Sequence, residues 1–576
     1  MLTQTISPLA MASLQDLPGN ELVRRFNDLF SRSQFEPAFD VACAEVMRYP
    51  ALEYAAKRAA LAVQKIEMRG FHPLYKQAIV HCFQALTIEH RHFMFAWLAL
   101  MTFDPLHRPL MNLMDAEDEN DFDRKIDWKT IRPCVMDPFF QLGIRKLMVA
   151  DIPFELLLTR LRRFVLTAHK TGSILTADDL PFLCALSEYF YEHEYAAIET
   201  PSETDLISGI SEKSDDISLA VLGCYRLLHP YPQAQKRALD KNLSGDIKTL
   251  LSFHVIDRNE EADIKKNIPA LTTIDDAISK NVADMYEDNP YPRWRGFDLP
   301  PVLYPVPRSE ILVAGCGTSK WVVQTAMTFP NVHITGIDLS RSSIAYGVRS
   351  ARQVGAFNTY FAQGDILKLD QMDKQFDLIE SSGVLHHMKD PDAGFKQVVG
   401  RLKPGGRMFI ALYSELGRQS IVECRKLIAE KGFSITPEGM RQFRADIISL
   451  PDEDPLKQIA MRRDFFSLSE CRDLVFHIQE TRYTIEDLKN LLNRHNLTFL
   501  GFREQAKALQ EKYISLYPDD PRMTNLDNWE KFEQAFPLTF ANMYQFVCCR
   551  REEENTPSEG FAQIDACKFF SIGRTI

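Results

Sequence analysis

The chain contains no C-x-x-C pair. Its eleven cysteines are scattered from Cys43 to Cys567 and only Cys548 and Cys549 adjoin, a spacing that suits reduced cytosolic thiols and supplies neither a disulfide framework nor a zinc-finger ligand set. Basic residues are not in excess. With 67 Lys and Arg against 78 Asp and Glu, the formal net charge is −11, which argues against a protein that coats nucleic acid. No apolar window reaches the length that spans a bilayer, and the start, MLTQTISPLAMASLQ, lacks a basic segment followed by a sustained apolar one, so a cytoplasmic location is expected. The helical half shows no clean self-similarity at a period of thirty-odd residues, so an irregular helical domain is expected rather than a regular superhelical array.

What is present divides near residue 285. From about residue 20 to that point, apolar residues recur at helical spacing. In FELLLTRLRRFVLTA, Phe154, Leu157, Leu161, Phe164 and Ala168 fall along one face with Arg160, Arg162 and Arg163 mostly off it. The polar stretches DAEDENDFDRK, from Asp115, and ETPSETD, near Glu199, suggest surface loops. After residue 286, short β-rich runs alternate with helical ones: EILVA, HITGID, YFAQGD, FDLIES, RMFIALY, LTFLGF and MYQFVCCR. That alternation predicts a doubly wound α/β sheet, and the long connection between the last two runs suits an antiparallel closing strand. The tail over 550–576 is polar and is expected to be flexible.

The first run breaks into ILVAGCGTSK, where Gly315 and Gly317 would let a ligand approach bare main chain beyond the strand's carboxyl end. Asp338 stands 21 positions after Gly317, at the spacing of an acidic residue that accepts from ribose hydroxyls. Lys320 occupies the place of the third small residue in a dinucleotide fingerprint, so a cofactor without pyrophosphate is favoured over an NAD-linked oxidoreductase.

Four ordered motifs follow one another: the glycine turn, ITGIDLS, AQGDILKL and FDLIESSGVLHHM with LKPGGRMFIALYS. In this order the chain resembles the class I S-adenosylmethionine-dependent methyltransferases over about residues 286–549, and is similar to bacterial members that place an NPYPRW motif and a helical, TPR-like region before the core. The resemblance implies a seven-stranded Rossmann-like sheet behind an all-α domain. It also implies that Gly315 and Gly317 face the methionine part of the cofactor, that Asp338 holds the ribose, that Asp365 and Ile366 border the adenine, and that Ser382 lies near the sulfonium. Val313 and Ser319 depart from the family pattern, which puts an acidic residue and a glycine there; these departures support the alternative of a catalytically silent scaffold.

His386 and His387 follow the fourth strand, and either is a candidate base for an acceptor that must lose a proton, with His477 as a further candidate. Residues 414–496 form an insertion expected to cover the acceptor, and Phe465, Phe466, Arg472, Phe476, His477 and Tyr483 within it suit a planar or anionic group or, alternatively, a small core in which Arg472 pairs with Asp473 or Glu470. YEDNPYPRW is read as a cover over the pocket, through Tyr286 or Trp294, or as a rigid joint. No metal is expected; His81, His90, His92 and His107 have no partner carboxylates or thiolates at ligand spacing. The acceptor is expected to be a protein or a small molecule rather than nucleic acid or membrane, and the helical region to serve acceptor recognition, a protein partner or a homodimer.

Overall fold

The structure, a computed structural model, describes residues 14, 17–172, 174–287, 290–299, 307–503, 505–541 and 543–551. Most of the polar tail and the amino-terminal segment lie outside the described residues. The chain forms two compact units, one comprising Met1–Arg258, Arg295–Pro301 and Phe433–Cys471, the other Asn259–Trp294, Val302–Gly432 and Arg472–Ile576.

The first unit is helical. Its core is built around Trp97, which packs against Phe139, Phe140 and Phe154. Helix Ile152–Thr171 starts on Asp151, whose carboxylate accepts from the Phe154 N–H, and ends at Gly172 in the left-handed conformation. It is buried on more than one face. Arg162, expected off the apolar face, is 1% exposed: its guanidinium lies between the rings of Phe190 and Tyr225 and donates to the Ile198 carbonyl at 2.7 Å. Aromatic faces and a carbonyl replace the water that an exposed arginine would use. Both stretches expected to be loops contain helices. Glu119–Lys125 is capped by Asp118, and Pro201–Ser208 by a Thr200–Glu203 capping box, because short acidic and hydroxyl residues initiate helices as readily as they form turns.

The segment 433–471 lies between two strands of the sheet in sequence yet belongs to the helical unit. Arg444, in helix Pro437–Ser449, forks onto the Glu155 carboxylate at 2.7 and 3.0 Å and donates to the Phe465 and Ala196 carbonyls, at 2.7 and 2.6 Å. Of the expected insertion, only Ser414–Gly432 and Arg472–Asn496 stay with the sheet.

The second unit carries the seven-stranded sheet: β1 (Ser309–Ala314), β2 (Val332–Asp338), β3 (Thr359–Gln363), β4 (Phe376–Ser382), β5 (Leu402–Tyr413), β6 (Leu497–Phe502) and β7 (Met543–Arg550), in the order β3-β2-β1-β4-β5-β7-β6. β1 to β5 are parallel, and β7 runs antiparallel between β5 and β6, as the long final connection suggested. That connection holds helices Lys507–Leu516 and Leu526–Ala535. Ile311 to Ala314 are all buried, the signature of a strand covered on both faces. β1 has β2 on one side and β4 on the other, which opens a crevice at their carboxyl ends.

Removing one member of a buried ion pair strands the other. Arg444→Ala should destabilise the helical unit by about 3–5 kcal/mol, whereas Arg444→Met combined with Glu155→Leu should cost much less. Urea midpoints of the full chain check this; equal midpoints for wild type and Arg444→Ala would contradict it.

Candidate functional site

The glycine turn follows β1. The N–H groups of Gly315 and Cys316 both donate to the Ile337 carbonyl at 2.9 Å. The Gly317 N–H donates to Asp338 Oδ2 at 2.8 Å, and the Ser340 N–H to Oδ1 at 2.9 Å. One carboxylate thus joins the turn after β1 to the turn after β2. Burial raises its pKa against these main-chain hydrogen bonds.

Glycine is required at both turn positions, though by protein neighbours. Gly315 has φ +83°, and a Cβ there would fall 2.3 Å from Val384 Cγ2. Gly317 has φ +49°, and a Cβ would lie 3.0 Å from the Tyr291 carbonyl oxygen. The close approach that the sequence attributes to a ligand is therefore made by Val384 and by the Tyr-Pro segment of the NPYPRW motif. Ser319, where the resemblance expects a glycine, takes the same left-handed conformation at φ +65°. By contrast, the Cβ direction of Gly383, next to Ser382, is open space.

The NPYPRW segment is fastened to this turn; Asp288 and Asn289 lie outside the described residues. Thr318 Oγ1 donates to the Pro292 carbonyl, Trp294 Nε1 donates to the Thr318 carbonyl at 3.0 Å, and the Tyr346 hydroxyl donates to the Trp294 carbonyl at 2.5 Å. Helix Ala277–Glu287 precedes the motif and is anchored on the loop after β2: Glu287 accepts from the Arg341 N–H and the Ser342 hydroxyl, each at 2.8 Å, and the Tyr286 carbonyl accepts from Ser340 Oγ at 3.2 Å.

Asp365 lies two residues beyond the end of β3 and caps the 3-10 turn Ile366–Gln371, accepting from the Leu367 N–H at 2.9 Å. It is 1% exposed, and Oδ2 has no hydrogen-bond partner among the described residues. The Ser279 hydroxyl also acts on this carboxylate, which retains acceptor capacity for a further donor. Ile366 is buried beside it, and Ser382 is the last residue of β4.

Beyond β4 the three candidate histidines meet. His386 is fully buried and stacks on Tyr413 at 3.7 Å, with the Arg418 guanidinium 3.5 Å from the same ring. His387 stacks on His477 at 3.6 Å with 23° between the rings. Gln479 binds both: its carbonyl lies 2.7 Å from His387 Nδ1, and its N–H donates to His477 Nδ1 at 3.2 Å. A carbonyl only accepts and an N–H only donates, so the main chain of one residue sets opposite tautomers. His387 carries its proton on Nδ1 and leaves a lone pair on Nε2; His477 carries its proton on Nε2. Burial lowers the pKa of His387 to about 4 and that of His477 to about 3. Tyr286 completes the cluster, donating from its hydroxyl to Asp473 Oδ1 at 2.6 Å. Sequence reasoning missed Asp473 and Gln479 as parts of this site; no motif marks them, and Asp473 lies in the π-helical turn Arg472–Phe476 with Gln479 three residues beyond it.

Among the described residues, two groups bring enough donor atoms together to hold a metal: His387, Asp473 and His477, and Asp104, His107 and Asp137. The second shows that His107 does have carboxylate neighbours, brought by the fold rather than by spacing. Its cation is Lys76, whose Nζ lies 2.7 Å from Asp104 and 2.6 Å from Asp137. In the first, the Gln479 N–H occupies the lone pair of His477 Nδ1, which leaves a proton on the nitrogen a metal would need.

The family described as "Methyltransferase domain" matches residues 307–446. An uncharacterized protein of Synechococcus sp. is 28% identical over 288 residues, 45% of this chain and 68% of that protein. Phosphoethanolamine N-methyltransferase 1 of Arabidopsis thaliana is 29% identical over 129 residues, 22% of this chain and 26% of that one. A ubiquinone biosynthesis O-methyltransferase of Idiomarina loihiensis is 24% identical over 163 residues, 27% of this chain and 65% of that one. The chain thus spans only about a quarter of the plant enzyme. Among the described residues, no helix is long and apolar enough to cross a membrane.

The buried imidazoles give the site a pH signature. His387 titrates near 6.5 when unfolded and near 4 when folded, so the unfolded state binds more protons between these values and stability falls as pH drops through that window. The loss is on the order of 3 kcal/mol for this group. Urea unfolding at pH 7 and pH 5 should show a steeper decline for wild type than for His387→Phe; parallel declines would contradict the assignment. Strand order, glycine turn and family match agree: the sheet unit, which holds the matched region from residue 307 to 432, carries a methyltransferase domain of the class I type.

Proposed function

We propose that the chain binds S-adenosylmethionine in the crevice beyond β1, β2 and β4 and transfers its methyl group to a protein or small-molecule acceptor. The observation that carries this reading is the pair of carboxylates along the crevice. Asp338 keeps acceptor capacity for ribose hydroxyls beside the main-chain N–H groups it accepts from Gly317, Ser340 and Leu339. Asp365, which the Leu367 N–H and the Ser279 hydroxyl already engage, keeps acceptor capacity on its buried carboxylate that suits the adenine amino group, with Ile366 against the ring. Open space at Gly383 beside Ser382 suits the sulfonium end.

When bound, S-adenosylmethionine supplies a methyl group on a positively charged sulfur, a leaving group that needs no further activation. The protein's task is to hold the acceptor in line at close range. An acceptor that carries a proton must lose it as the new bond forms, and the lone pair of His387 Nε2, fixed by Gln479, is the group we assign to take it. His386, enclosed against Tyr413, supports the loop, and His477 presents an N–H donor. The relatives' names include both nitrogen and oxygen acceptors, so the matched region alone names neither. We assign acceptor or partner recognition to the helical region, which contributes none of the cofactor residues.

Asp338→Ala should weaken S-adenosylmethionine binding at least tenfold, since hydrogen bonds to a charged acceptor contribute about 1.5–3 kcal/mol each. Calorimetric titration measures this, and an unchanged Kd would remove Asp338 from the site. Absence of wild-type binding at tens of micromolar would remove the enzymatic reading itself. His387→Gln should lower kcat on a hydroxyl or amine acceptor with little change in KM; undiminished turnover would dismiss the base.

A further inference from the structure

The π-helical turn that carries Asp473 also carries Arg472, which is 8% exposed. Its Nε and Nη2 are buried and have no hydrogen-bond partner among the described residues. The anticipated pairing does not occur: Asp473 accepts from the Tyr286 hydroxyl at 2.6 Å, and Glu470 is paired with Arg463. The guanidinium of Arg472 lies beside an aromatic ring, 5.6 Å from the centroid of Tyr286. An arginine in this state is expensive, because burial has stripped its hydration and no anion has replaced it.

We propose that Arg472 is the anion-binding residue of the acceptor subsite, and that the methyl acceptor carries a carboxylate or phosphate gripped by its guanidinium. The inference rests on the methyltransferase reading above and deepens it. The planar fork of arginine suits either oxyanion in a two-point contact. Tyr286 serves this arrangement twice: its ring lies beside the guanidinium, and its hydroxyl holds Asp473 Oδ1 in a hydrogen bond, so that Arg472 makes no direct ion pair with the neighbouring carboxylate. Tyr286 closes helix Ala277–Glu287, the same helix that is anchored on the loop after β2, which connects the anion subsite to the nucleoside site through one element.

The test uses the full chain with S-adenosylhomocysteine present, titrated separately with inorganic phosphate and with benzoate and followed by calorimetry. At least one anion should bind wild type, and Arg472→Gln should weaken it tenfold or more while the affinity for S-adenosylhomocysteine changes less than twofold. Binding of phosphate alone or of benzoate alone identifies the oxyanion. Tyr286→Phe leaves the charge in place but frees Asp473 to turn onto Arg472, and should weaken the same anion several-fold; it serves as an independent variant should Arg472→Gln fail to fold. Failure of both anions to bind, or equal anion affinity in wild type and folded variants, overturns the proposal. Failure of S-adenosylhomocysteine to bind wild type overturns the methyltransferase reading separately.

Discussion

The clasp between Asp338 and the Gly317 N–H is the contact on which the sheet unit's crevice depends. A parallel sheet leaves its strand ends as separate loops, and a ligand crevice exists only where two neighbouring loops are held in register. Asp338 does this with one short side chain, accepting from the turn after β1 and from Ser340 after β2. Both donors are main-chain groups, so the geometry does not depend on the conformation of another side chain. The arrangement still leaves the carboxylate able to accept more hydrogen bonds, and a group that is structural toward the protein can also bind a ligand.

Around that clasp the protein has filled part of what the sequence suggested was ligand space. Gly315 is bare because Val384 packs onto it, and Gly317 because the Tyr291 carbonyl approaches it. The NPYPRW segment therefore acts as a strap on the glycine turn, fastened through Thr318 and Tyr346. Ser319 holds a left-handed conformation without being glycine, at a cost of about 1–2 kcal/mol for an L-residue. Strap and strained turn are both local to the crevice.

The sheet was legible in the sequence because buried parallel strands are continuous apolar runs, and Asp338 because spacing from a glycine turn is conserved by geometry itself. Less legible was anything set by tertiary neighbours. Arg162 lies on the polar side of a helical wheel, yet rings from distant helices enclose it. The stretch from Phe465 to Tyr483 reads as one aromatic segment, but its first part packs in the helical unit and the rest with the sheet. Gln479 has no sequence signature, since its contribution is main chain. The opposed tautomers of His387 and His477 follow from the main chain of that one residue, and no pattern of side chains encodes them.

The central claim is that this crevice is shaped for a sulfonium nucleoside, with one carboxylate for its sugar and another for its purine. A crystal structure of the chain soaked with S-adenosylhomocysteine tests it most directly. The account predicts ribose hydroxyls within hydrogen-bond distance of Asp338 and the purine amino group on Asp365 Oδ2. A nucleoside bound elsewhere, or a crevice that stays closed by the strap at saturating ligand, would contradict it.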